Sequence, residues 1–362
     1  MGNKLQFIGA LIGSTALGMA TALAHHPGIG GVGGGGGITT IGAGTLDQGQ
    51  FAASAFIEYV RLNQLSNATL LANIGNNVHG LSSIESRVMA FAYGVTNDLM
   101  VSIRVPWVRR TGILEGVQDD PADPPEIHNR GSTSGLGDVI VLGQYRFFNN
   151  AASGTQVAAL FGFKAPTGTT NLIDPFGERF EAEFQPGTGS WDGLFGAALS
   201  QQLNSSWGLH ANVLGVLATT GTQGTNLGSR FIYNAAVAYR VFGETANEPH
   251  SHDARAAYAH EGPHPRMVTK AKAPAPVGPH IHVALDALLE LNGEWHDKQR
   301  TAGVSDPNSG GNTIYLSPGL RLTVENWSSY VTVGIPIVKD LNGIQPTPAW
   351  RVLGGVAAAF GP

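Results

Sequence analysis

The segment Ile281-His282-Val283-Ala284-Leu285-Asp286-Ala287-Leu288-Leu289-Glu290-Leu291-Asn292-Gly293-Glu294-Trp295 decides the fold. Ile281, Val283, Leu285, Ala287, Leu289 and Leu291 occupy one parity. His282, Ala284, Asp286, Leu288, Glu290 and Asn292 occupy the other. A helix would scatter the carboxylates around its surface, whereas a strand gathers them on one side. An apolar face set against a charged one over this length fits a wall with hydrocarbon on one side and a polar interior on the other.

The same period recurs. Val139, Val141, Tyr145 and Phe147 oppose Asp138, Gln144 and Arg146; Val157, Ala159, Phe161 and Phe163 oppose Gln156 and Lys164. Phe231, Tyr233, Ala235, Val237, Tyr239 and Val241 oppose Arg230, Asn234 and Arg240. The segment 83–94 carries Glu85 and Arg87 but loses its alternation toward Phe91 and Tyr93. Short, turn-rich links at 96–98, 149–154, 204–206 and 325–327 alternate with longer ones at 63–82, 111–134, 168–188, 219–228 and 297–311. That asymmetry belongs to outer-membrane barrels. The expectation is an all-β, antiparallel transmembrane β-barrel of about 12 strands with both termini periplasmic. The strands fall near 48–62, 83–95, 99–110, 135–148, 155–166, 189–203, 206–219, 228–242, 280–296, 312–324, 328–340 and 347–360. A soluble sandwich also alternates. The turn asymmetry and the terminal strand, running from Trp350 to Phe360, favour the barrel.

The chain begins like an export signal: Lys4, an apolar run from Leu5 to Met19, and Ala22-Leu23-Ala24 as the small-residue cleavage pattern. Residues 1–24 are therefore expected to be removed. Loss of Lys4 leaves 20 basic against 26 acidic residues, a balance that argues against a nucleic-acid partner. There are no cysteines, so no disulfide, thiolate metal site or lipidated cysteine is available. Beyond the signal, no run of 18 apolar residues supplies a membrane helix.

Gly135-Leu136-Gly137-Asp138-Val139 leads into Gln144-Tyr145-Arg146-Phe147, then Phe163-Lys164-Ala165-Pro166-Thr167-Gly168, and then Phe184-Gln185-Pro186-Gly187-Thr188-Gly189-Ser190-Trp191-Asp192. In this order the motifs resemble outer-membrane transporters grouped under the meta-pathway of phenol degradation. The resemblance is densest over 135–242 and extends from 48 to the C-terminus. It implies an outer-membrane barrel linked to uptake or export of small molecules. It carries over neither a substrate nor catalytic residues.

Two segments stand apart from that resemblance. The first, 25–47, opens with His25-His26-Pro27 and has ten glycines between Gly28 and Gly44. It reads as a Gly/His-rich periplasmic tether, or as a plug reaching into the lumen. It follows no strand and opens no helix, so it is not a phosphate loop. The second is a His/Pro-rich insert at 243–279, placed on the periplasmic side by strand count. His25, His26, His250, His252, His260, His264, His280 and His282, eight of the 12 histidines, fall on that side. Neutral imidazoles ligate zinc, copper or nickel, with Asp253 and Glu261 at hand, so a divalent metal is the one cofactor expectation. A solvated, loosely chelating loop and a pH-responsive plug are the competing readings.

Charged positions on inward faces name the expected lumen: Arg87, Arg104, Asp138, Arg146, Lys164, Arg230, Arg240, Asp286, Glu290, Arg321 and Arg351, with Glu58 and Asp192 beside them. Such groups either set a transverse field on passing solutes or pair across the wall. His210 and Asn212 share an inward face, but no serine is placed beside them and Gly-x-Ser-x-Gly is absent, so no enzyme is expected. The function expected is passage of small solutes, aromatic or hydrophobic compounds among them, across the bacterial outer membrane without a chemical step. The partners are membrane lipid, the barrel-assembly machinery and the solute. A metal-linked barrel and a plugged structural barrel are the alternatives.

Overall fold

The computed structural model describes residues 36–118, 120–243 and 281–361. Twelve antiparallel strands form a closed barrel. They are β1 (Phe51–Asn63), β2 (Ser83–Thr96), β3 (Leu99–Val117), β4 (Glu126–Leu136, resuming as Val139–Asn150), β5 (Thr155–Ala165), β6 (Asp192–Gln202), β7 (Trp207–Leu217), β8 (Arg230–Gly243), β9 (Val283–His296), β10 (Gly311–Val324), β11 (Trp327–Leu341) and β12 (Thr347–Phe360). Each strand pairs with its neighbours in sequence. The circle closes between β12 and β1, in a register that sets Phe51 against Phe360 and Ile57 against Gly354. Closure leaves no edge strand, the condition for crossing hydrocarbon with extended chain.

Period-two patterning determines which way each side chain points. Phe161, Phe163, Phe195, Phe231, Leu289, Leu291, Val331 and Ile335 are exposed on the outside. Ser54, Glu58, Arg104, Gln144, Asn212, Asn234, Glu290 and Arg351 are buried inside. A soluble barrel or sandwich would have the opposite arrangement, and an exposed apolar belt of this extent is intolerable in water. The chain is therefore an outer-membrane β-barrel. Aromatic rings mark both rims. Tyr59–Trp350 (5.4 Å) and Phe163–Trp191 (5.6 Å) lie toward the long-loop end, while Trp207–Tyr239 (4.7 Å) and Trp327–Phe360 (6.1 Å) lie toward the short-turn end.

One expected loop is instead a hairpin. β3 and the first part of β4 pair from Trp107↔Leu136 out to Val117↔Glu126, carrying strand structure well past the aromatic rim. Both faces there meet water or other loops, so the apolar alternation that marks a wall strand is absent. The stretch 111–134 therefore read as loop. Above the rim a five-residue helix, α1 (Asn67–Leu71), is capped by Ser66, whose hydroxyl accepts the Thr69 N–H at 3.1 Å. Residues 225–226, 300–301 and 304–305 join in a small antiparallel sheet.

Candidate functional site

The lumen is the candidate site, and part of the chain's own N-terminal region fills it. Residues 36–46 turn back from the start of β1 into the barrel, with Ile38, Thr39, Thr40, Ile41 and Ala43 fully or almost fully buried. Wall side chains hold this plug by its backbone. The Glu290 carboxylate accepts the Ile38 N–H, the Thr39 N–H (2.8 Å) and the Thr39 hydroxyl. Asn212 Oδ1 accepts the Ile41 N–H (2.9 Å), and Ser200 Oγ accepts the Ala43 N–H (2.9 Å). Gln144 donates to the Gly42 and Gly44 carbonyls (3.0 and 2.6 Å), and Arg321 to the Gly36 carbonyl (2.9 Å). Glycine is required at the tip: Gly36 has φ +141°, and a methyl group on Gly37 would run into the Glu290 carboxylate. The tether expected at 25–47 thus lies, over 36–46, inside the barrel. The physical reason is that a lumen lined with acceptors and donors satisfies a bare backbone that no strand pairs.

The wall around the plug mixes apolar and charged groups. Ile140, Leu142, Leu160, Leu194, Leu214 and Ile232 of β4 to β8 pack with Ile38 and Ile41 in one buried cluster, which Phe56, Leu288 and Leu353 extend onto β1, β9 and β12. The ion pairs gather on β8, β9, β10, β12 and β1. Asp286 lies between Arg240 (2.6 Å) and Arg321 (3.0 Å). The Arg351 guanidinium stands over the Tyr315 ring at 4.4 Å, donates to Asn292 Oδ1 at 2.6 Å and lies 3.8 Å from Glu58. Arg230 is 3.9 Å from Glu294. Pairing of this kind is what a wall removed from bulk water demands of its charges. Arg104, only 1% exposed, is the exception, since its Nε, Nη1 and Nη2 all lack a hydrogen-bond partner.

A second obstruction lies at the long-loop end. The loop 166–191 folds inward, with Phe180 and Phe184 buried against Val60, Leu81, Val108 and Ile113. Lys164 ties its far end, 2.7 Å from Asp192 and 3.2 Å from Asp138. The Asp138 carboxylate also accepts the Gly168 N–H, the Thr188 N–H and the Thr188 hydroxyl at 2.6–2.9 Å. The Gly168 and Thr188 motifs quoted for the family resemblance are therefore the two ends of one pinned loop.

Most expected lumen residues do face inward: Arg104, Asp138, Lys164, Arg230, Arg240, Asp286, Glu290, Arg321 and Arg351. Arg87 does not. Its side chain is 60% exposed on the outer face and pairs with Glu85 at 2.5 Å, while Ser86, Val88, Ala90 and Ala92 point in. The small residues of β2 conceal the parity, and the ion pair sits beside Trp107, at the level where outward charges reach headgroups. Arg146 is a rim residue, bonded to Asp98 (3.0 Å) and the Asn97 carbonyl (2.7 Å) at the short-turn end. His25, His26, His250, His252, His260, His264 and His280, and the signal 1–24, lie outside the described residues. His282 is half-buried just before β9, and its backbone N–H donates to Glu325 Oε1 at 2.8 Å.

A serine that the sequence left unassigned does meet His210: Ser200 Oγ is 2.9 Å from His210 Nδ1. The same oxygen accepts the Ala43 N–H of the plug, so the serine–histidine contact anchors the plug.

Several solved structures are similar to the chain. The COG4313 outer membrane channel from Pseudomonas putida F1 shares 15% identity, covering 87% of this chain and 97% of that one, with a TM-score of 0.48. A Pseudomonas aeruginosa FadL homologue shares 8% identity over 97% and 99% of the two chains, TM-score 0.40. LpxR from Salmonella typhimurium shares 10% over 84% and 99%, TM-score 0.37. The barrel itself stands on the strand pairing above and not on these likenesses. Among curated proteins, none matches the sequence. Residues 42–249, which run from inside the plug through β8 and include the pinned loop, match the family described as "Putative MetA-pathway of phenol degradation", and the chain belongs to that family.

Proposed function

We propose that the protein passes small solutes across the outer membrane through its lumen, and that residues 36–46 form the closed gate of that path. The observation that carries this reading is a lumen that combines an apolar cluster with a set of charges. Apolar side chains densest on β4 to β8 line it together with charged groups on β8, β9, β10, β12 and β1, and Arg104 on β3 is buried with no hydrogen-bond partner. Such a passage suits a solute with an apolar body and a polar or anionic end. Small aromatic compounds, to which the family's description points, are of that kind. The plug is attached to the wall by side-chain hydrogen bonds and not by strand pairing. Bonds of that type exchange for water at modest net cost, so the segment can leave without disturbing the barrel. No covalent step is involved. A charge-paired lumen that stays plugged, serving structure alone, is the competing account.

Liposomes containing the purified protein and preloaded with a fluorescent sensor for small aromatic carboxylates test the proposal. It predicts entry of phenol-sized carboxylated aromatics faster than in protein-free liposomes, with Arg104→Met slowing the anionic compounds most. Equal entry with and without protein would refute it.

A further inference from the structure

The long-loop end holds a cluster to which solute passage assigns no role. His79 follows β1 in the link to β2, and its backbone pairs with Glu115 at the tip of β3. The inward-folded loop brings Glu181 and Glu183 to the same point. His79 Nε2 lies 3.6 Å from Glu115 Oε1 and 3.5 Å from Glu181 Oε1, and Nδ1 lies 3.7 Å from Glu183 Oε1. These separations are long for hydrogen bonds. The Nδ1–Glu183 separation approaches the spacing of about 3.4 Å between two ligands held tetrahedrally around one zinc ion, with Nδ1 as the metal-binding nitrogen and Nε2 left to Glu115.

Two further observations mark the cluster as a ligand set. His79 is 7% exposed, and its Nδ1 is buried with no hydrogen-bond partner; Glu181 Oε2 is likewise buried without one. The potential donor atoms of His79, Glu181 and Glu183 all lie within 4.8 Å of one another. Arg130 does not neutralise the set. It is engaged with Glu115 Oε2 (2.7 Å), Asp174 (2.7 Å) and Glu178 (3.3 Å). Phe184 packs edge-on against the imidazole at 5.1 Å, fixing the ring plane.

We infer that His79, Glu181 and Glu183 bind a divalent transition-metal cation at the mouth of the barrel, with Glu115 orienting the imidazole. An imidazole and two carboxylates form a donor set suited to zinc. A carboxylate on the second ring nitrogen is the usual outer partner of a metal-bound histidine. The cation clamps the inward loop to the wall, because its ligands come from that loop and from the β1–β2 link.

Zinc titration of the purified full-length protein against a chromophoric chelator tests this, comparing wild type with Glu183→Gln and His79→Gln. The histidine-rich segment is identical in all three, so any sites there cancel. The expected result is one zinc equivalent fewer in both variants, or at least tenfold weaker binding at that site, with heat-modifiable migration unchanged. Trypsin cleavage after Arg179, in the clamped loop, slows with zinc in the wild type and not in Glu183→Gln. Should His79→Gln fail to fold, the Glu183→Gln comparison stands alone. Identical zinc stoichiometry and affinity in wild type and Glu183→Gln would overturn the site.

Discussion

Glu290, midway along β9, accepts the backbone N–H of Thr39 at 2.8 Å, joining residues 251 positions apart in the chain. The same carboxylate takes the Ile38 N–H and the Thr39 hydroxyl. This side chain thus takes three of the hydrogen bonds that hold the plug, beside those of Asn212, Ser200, Gln144 and Arg321. A carboxylate is suited to this because it offers two oxygens and no donor, matching a cluster of donors on an unpaired segment.

Replacing that carboxylate should loosen the plug. Glu290→Gln leaves one acceptor oxygen for three donors, at a cost of about 1–3 kcal/mol. The fraction of time spent open should rise roughly five- to 150-fold. Single-channel recording of the variant reads this directly, and an unchanged open fraction would show that Glu290 is not the latch.

The outer face offers a depth-resolved check on the membrane assignment. Leu289 is the immediate neighbour of Glu290 but points the other way and is exposed. Leu289→Arg should cost about 2–4 kcal/mol, the penalty for arginine near the bilayer midplane. Urea unfolding in phospholipid vesicles measures it. A cost near zero would mean that this face does not meet hydrocarbon.

Lys164 holds two carboxylates and the end of the inward loop. Removing one partner of a buried ion pair costs about 3–5 kcal/mol. In Lys164→Met that cost falls mainly on the loop, because Asp138 and Asp192 sit where the wall hands over to it. Trypsin cleavage after Arg179 should accelerate at least tenfold while the barrel stays heat-modifiable. Equal cleavage in both proteins would show the loop held elsewhere.

The same loop should respond to alkaline pH. In the folded protein His79 titrates at about 9 instead of 6.5. A raised histidine pKa contributes stability that is complete below the unfolded value and is lost as pH rises through the folded one. Burial and Glu181 also raise the Glu183 carboxyl, so its ionisation works in the same direction. Metal-free protein should release the loop as pH passes about 9. Cleavage after Arg179, normalised to His79→Gln at each pH, gives the readout. A ratio that stays flat through that range would contradict the assignment.

Wall strands were legible because each lies between two media, which writes polarity into alternate residues. β9 shows this from Asp286 to Trp295, and its bounds differ from expectation by three residues at one end and none at the other. β2 was less legible because Ser86, Ala90 and Ala92 fit either face, which is why Arg87 was assigned to the wrong one. The plug carried no readable signal for its position. Its glycines allow many paths, and its partners Glu290, Asn212, Ser200 and Gln144 come from four strands far away in sequence. The His79 cluster was hidden for the same reason: its residues are separated by about a hundred positions and meet only because the loop folds inward. The histidines that drew attention in the sequence were consecutive or nearly so, whereas the cluster with donor geometry contains a single one.

Planar-bilayer conductance of the full-length protein against a variant lacking residues 36–46 tests the central claim most directly. The plugged lumen predicts small or rare openings for the intact chain, and frequent, larger, uniform steps for the deletion, with both proteins equally heat-modifiable. A folded deletion variant that conducts no more than the intact protein would show that this segment does not close the path and that the lumen is blocked by other means.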